Sequence, residues 1–217
     1  SDDYAAGGDS FNLDQPTLQN VNQMIHTPND ENQLREIWGL MYAGFNRANY
    51  ILEFKDKTDF AGKEEIIAEA YFLRAYYTFE LVKFFGNVPL KTEERGGVMR
   101  ISDERILTED EFSMERIADI PTAYGVIAAD LLEAIPNLPA TQDRPYEATK
   151  GAAQALLGKV YLYHGTYDAS KFTDAASTLK QVISSGQYAL TTGDDYLNMF
   201  EIEGENGPEA VFEIQYS

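Results

Sequence analysis

From Leu34 onward the chain places apolar side chains at steps of three and four: Leu34, Ile37, Trp38, Met41, Phe45, Ala48 and Leu52. That spacing predicts an amphipathic helix with one apolar stripe. Asp30, with Gln33 three residues on, reads as a capping box ahead of it. A second helix is predicted from Lys63 to Phe85, and it carries two stripes. Ile66, Ala70, Leu73, Tyr77, Leu81 and Phe84 make one; Phe72, Ala75, Phe79 and Val82 make the other. Two stripes require burial against neighbours on both sides. Gly86 ends this helix and Pro89 prevents its resumption.

Further along, residues 86–107 predict a loop with extended pieces, and Thr108 with Glu111 a short helix. Pro121 either kinks that helix or starts the next, which Tyr124, Ile127, Leu131 and Ile135 carry to Pro136. After a turn rich in proline (Pro136, Pro139, Pro145), Thr149 opens a helix that Gly165 closes, and Ser170 opens another that Gly186 closes. Residues 1–30 show turn formers and no helical period. Residues 210–214 alternate like a strand that has no partner in the chain, the pattern expected of a chain cut short.

Because the helices come in pairs, tetratricopeptide spacing is the natural comparison. Trp38, Met41, Tyr42 and Phe45 hold the first-helix positions, and Ala68, Phe72 and Ala75 the second-helix positions. Leu157, Gly158 and Tyr161, then Ala175 and Leu179, repeat the scheme. The fold expected is all-α: antiparallel helix pairs of tetratricopeptide type with long irregular loops and little β-structure.

Composition narrows the function. Of 217 residues, 44% are hydrophobic, with 14 Tyr and 12 Phe, so the chain folds. Lys+Arg 17 against Asp+Glu 36 gives a net charge of −19, which repels phosphate backbones and disfavours a nucleic-acid partner. No apolar run reaches the ~18 residues of a membrane helix. With no cysteine there is no disulfide, zinc-thiolate site or thiol nucleophile. The opening Ser1-Asp2-Asp3, in place of Met, predicts a removed upstream stretch where a signal peptide or anchor cysteine would stand.

Catalytic signatures are missing: no HExxH, Walker loop, GxGxxG or GxSxG. His164 lies on an apolar face before Gly165 and fits a structural role; His26 fits a solvent-facing loop. The carboxylates fall in solvated runs that single out no pair suited to glycoside hydrolysis. Neither a cofactor nor a metal site is expected. Trp38 belongs to the core stripe. Tyr4 and Phe11 stand outside any period, beside Asn12 and Gln15. Ring faces that meet C–H edges, next to amides that meet hydroxyls, are what a sugar-binding surface requires. These four residues are therefore the candidate ligand-binding positions.

The run Ala68-Glu69-Ala70-Tyr71-Phe72-Leu73-Arg74-Ala75-Tyr76-Tyr77, continued by Leu81, Phe84, Gly86, Asn87, Val88, Pro89 and Leu90, resembles the hallmark of the SusD/RagB family. Trp38, Tyr42, Asn46 and Asn49 are similar to that family's first-helix motif. Ala129-Asp130-Leu131-Leu132 with Leu138-Pro139, the stretch 149–161, and Ser184-Ser185-Gly186 with Tyr188 and Leu190 follow in family order. The resemblance implies an outward-facing lipoprotein of the outer membrane, non-enzymatic, that captures a glycan for a SusC-like TonB-dependent transporter. It also implies that residues 1–217 are the helix-rich N-terminal part of a longer protein. The lipid anchor would lie upstream, and ligand contacts would sit in loops such as 1–30 and 91–107. Glu69 and Arg74 are expected to pair or to cap neighbouring backbone. The alternative is a tetratricopeptide-type adaptor that binds protein in a helical groove, a role the scarcity of Lys and Arg disfavours.

Overall fold

Apolar periodicity is realised as helix wherever it was strong. In the computed structural model, which describes residues 16–27, 31–90, 119–193 and 195–215, the elements are α1 (Pro16–Asn22), α2 (Glu31–Phe54), α3 (Lys63–Phe85), α4 (Ile120–Ala134), α5 (Lys150–His164), α6 (Lys171–Ser184) and α7 (Asp195–Asn198), followed by a 3-10 turn at Ile202–Gly204. No strand occurs among the described residues. The chain divides within α2 into two compact units, Ser1–Ala43 and Gly44–Ser217.

In the first unit, α1 corrects the expectation that residues 1–30 are irregular throughout. Pro16 stands at its first position, where a fixed φ favours helix entry and a missing N–H costs nothing. The start of α2 brings the Trp38 and Tyr42 rings to 4.7 Å.

The second unit is a stack in which α3 packs on α4, α4 on α5 and α5 on α6. Of the two stripes of α3, Phe72, Ala75, Phe79 and Val82 are all buried. The other stripe buries Ala70 and Leu81 and leaves Ile66, Leu73 and Phe84 exposed. Helix α5 returns as α6 across residues 165–170, and the pair approaches closely because Gly158 has no side chain. A Cβ there would stand 2.5 Å from the Leu179 side chain. This is the small-against-large notch that tetratricopeptide spacing predicts.

The helix ends follow local chemistry. Asp119 Oδ1 accepts the Thr122 N–H at 2.7 Å and opens α4, with Pro121 in the first turn; the proline starts a helix and does not kink one. Thr149 Oγ1 accepts the Ala152 N–H at 3.1 Å and opens α5. Ser170 precedes α6 without capping it by its own side chain. Instead Asp168 Oδ1 accepts from both the Ser170 N–H and hydroxyl, at 3.0 and 2.8 Å, so the turn is set two residues earlier. Gly86, at φ 68°, ends α3 as expected.

Residues 210–214 do not form the expected strand. The Ala210 N–H turns back to the Gly207 carbonyl at 2.9 Å. Phe212 meets Phe72 edge-on at 5.1 Å and Tyr76 at 6.4 Å. Side-chain docking on α3, in place of a hydrogen-bonded ladder, holds this segment.

Candidate functional site

Three non-helical stretches converge at one end of the stack and enclose a cleft of about 510 Å³. The first is the proline-rich turn between α4 and α5. Gln142 Nε2 donates to Glu65 Oε1 at 3.0 Å and to the Ala148 carbonyl at 3.1 Å, which fastens the turn to α3. Glu69, also on α3, accepts the Ala148 N–H; burial pushes its carboxyl above the ordinary value and that hydrogen bond pulls it back. Arg144 pairs with Glu147, and its guanidinium stands 5.4 Å from the centre of the Tyr146 ring.

The second wall is the stretch after α6. The Tyr188 hydroxyl lies 3.2 Å from Thr149 Oγ1, and its ring covers Gly151 so closely that any Cβ there would overlap it. The third wall is residues 206–213. The side-chain amides of Asn206 and Gln215 exchange hydrogen bonds at 3.2 and 3.0 Å, and the Asn206 N–H donates to Glu213 Oε2 at 3.1 Å. Behind them Glu209 accepts from the Thr191 N–H and hydroxyl at 2.5 and 2.6 Å, which holds its carboxyl below the usual range.

The cleft therefore offers planar amides, carboxylates, a paired guanidinium and the rings of Tyr188 and Phe212. Its volume is in the range of small-ligand sites, and its groups suit a ligand rich in hydroxyls. Among the described residues no group of three or more His, Asp or Glu is placed to hold a metal ion. Among the described residues no helix is long and apolar enough to cross a membrane.

The sequence-derived candidates Tyr4, Phe11, Asn12 and Gln15, and the loop 91–107, lie outside the described residues. His26 is exposed after α1. His164 is half-buried against Tyr124, ring centres 5.8 Å apart, with Nδ1 buried and without a hydrogen-bond partner. Sequence reasoning missed the cleft. Its turn was legible only as a turn and its third wall only as a strand. The available signal was Tyr188, which the family pattern marked without saying why an aromatic stood there.

Arg74 and Glu69 behave as expected: one pairs and the other caps neighbouring backbone. Glu69 caps Ala148. Arg74 Nε and Nη2 donate to Asp130 Oδ2 and Oδ1, and Nη1 donates to Asn49 Oδ1 at 2.8 Å. One side chain thus ties α2, α3 and α4.

Comparison with known proteins gives the same answer as the motifs. A SusD-like family model, described as starch-binding and associating with the outer membrane, matches residues 6–162. The SusD-like protein P38 of Formosa agariphila is 28% identical over 210 residues, which are 93% of this chain and 38% of that protein. A laminarin-binding SusD-like protein of known structure is 31% identical with a TM-score of 0.75, over 98% of this chain and 43% of that one. Surface glycan-binding protein A of Bacteroides thetaiotaomicron, solved with laminarihexaose, is 26% identical with a TM-score of 0.67, over 83% and 35%. The chain thus spans well under half the length of these relatives. Since the family model takes in more than half of its residues, the chain belongs to the SusD-like family.

Proposed function

We propose that residues 1–217 are the helical scaffold of a non-enzymatic glycan-binding protein, anchored outward on the outer membrane, that passes oligosaccharide to a SusC-like TonB-dependent transporter. The observation that carries the reading is the likeness to the laminarin-binding SusD-like protein along nearly the whole chain. The cleft between residues 140–149, 187–188 and 206–213 adds chemistry suited to sugar hydroxyls. Tyr4, Phe11, Asn12 and Gln15 are proposed as a second set of contacts, on the argument from residue type.

Affinity electrophoresis in gels that contain laminarin, starch or xylan tests the reading. Retardation by at least one polysaccharide, with no reducing ends released on incubation, is the expected result. Free migration through every gel overturns it. Tyr4→Ala at unchanged retardation removes Tyr4 from the contacts.

A further inference from the structure

Charge is the property of the cleft that divides one class of glycan from another. Arg144 is the one cationic side chain among the described residues that line it, and Glu147 already holds that guanidinium. Asp143, exposed at the rim, and Glu213 add two further carboxylates. The surroundings reinforce this sign, because the whole chain carries 17 cationic residues against 36 anionic ones. A cleft walled by low-dielectric protein concentrates such a field.

Ionised carboxylates accept hydrogen bonds and donate none, so Asp143 and Glu213 suit sugar hydroxyls as donors. Gln142, Gln187 and Asn206 add amides to the same lining. A sulfate ester or uronate at the same place would bring a second negative charge with no unpaired cation in the described lining to meet it. We propose, on the basis of the glycan-binding function above, that this cleft takes uncharged oligosaccharides and rejects sulfated and uronate-bearing ones.

Matched pairs that differ only in charge test this: laminarin with laminarin sulfate, and dextran with dextran sulfate, titrated calorimetrically at low and high ionic strength. A neutral member should bind, and its sulfated counterpart should bind about tenfold or more weakly at low salt. The gap should narrow at high salt, where exposed charges are screened. Asp143→Asn with Glu213→Gln should close most of the gap at low salt; both substitutions keep a side-chain acceptor. Equal or tighter binding of a sulfated member by the parent overturns the inference and leaves the glycan-binding function standing. A gap that the double variant does not change also overturns it, because selection would then lie elsewhere. Where starch or xylan is the polysaccharide that retards the protein, its sulfated derivative completes the pair; binding of no glycan at all refutes the glycan-binding function, and the inference falls with it.

Discussion

Arg74 and Asp130 meet fork to fork. Two nitrogens of the guanidinium donate to the two oxygens of the carboxylate at 2.7 and 2.5 Å, with the side chains 15% and 8% exposed. The third arm reaches Asn49, which is fully buried. A charge taken this far out of water is tolerated because its partner and its geometry are fixed by three helices together.

Arg74→Leu should therefore cost about 3–5 kcal/mol, since it strands a buried carboxylate. Arg74→Leu combined with Asp130→Leu should cost less than Arg74→Leu alone. Asn49 loses the Arg74 N–H in both proteins, so the difference between them isolates the orphaned charge. Denaturant unfolding with a shared slope is the measurement. A double variant less stable than the single would show that the Asp130 carboxylate left without Arg74 carries no penalty that apolar replacement relieves.

Phe72 is 1% exposed and meets Phe212 edge-on. Phe72→Ala should cost about 3–5 kcal/mol by opening a cavity in the stack. Phe212→Ala should cost less, because that ring is only half-buried. A double-mutant cycle should return a coupling of about 0.5–1.5 kcal/mol, the worth of one aromatic pair. A coupling near zero would mean that the Phe72 contact does not hold residues 206–213, and the third wall of the cleft would have another anchor.

Gly158 lets α5 lie against Leu179 of α6, where a Cβ would be 2.5 Å away. Gly158→Ala should destabilise by about 1–3 kcal/mol despite alanine's better helix propensity. Adding Leu179→Ala should recover part of that loss by making room. If Gly158→Ala instead raises the melting temperature, propensity outweighs packing and the close approach has been overstated.

The scaffold was legible in the sequence because its cause is local. Steps of three and four mark α2, α3 and α5, and Thr149 sits where orphan N–H groups need an acceptor, whereas the Asp119 cap of α4 went unread. Arg74 was legible as a group that needs a partner, but not which partner. Asp130 is 56 residues away and is brought there only by the packing of α4 on α3. The cleft was illegible for the same reason carried further. Gln142, Tyr188 and Asn206 come from three separate non-helical stretches, and no periodicity links them. The alternation at 210–214 misled because Val211 and Ile214 have the composition of a strand. The contact that decides the backbone path, Phe212 on Phe72, is tertiary.

Acidity should first strengthen and then weaken this fold. Burial pushes the carboxyls of Asp130 and Glu69 above their ordinary values, against the pull of Arg74 and of the Ala148 N–H. The folded state then holds these protons more tightly than the unfolded state. Their contribution to stability is fully present below the ordinary carboxylate range and is lost as pH rises through the raised values. Hydrogen bonds from Thr122, Ser170 and Thr191 hold Asp119, Asp168 and Glu209 below their ordinary values. These groups stabilise above the ordinary range and cease to do so as pH falls through the depressed values. The melting temperature should accordingly climb as pH drops from neutral toward the ordinary carboxylate range, pass a maximum, and fall below it. High salt removes the part of the climb due to the net charge of −19, since it screens exposed charges far better than buried ones. Glu69→Gln, measured at high salt, should flatten the climb and leave the acid-side fall in place. A parent protein whose melting temperature declines steadily from neutral pH would show that Asp119, Asp168 and Glu209, held low by their hydrogen bonds, and not Asp130 and Glu69, raised by burial, dominate its titration.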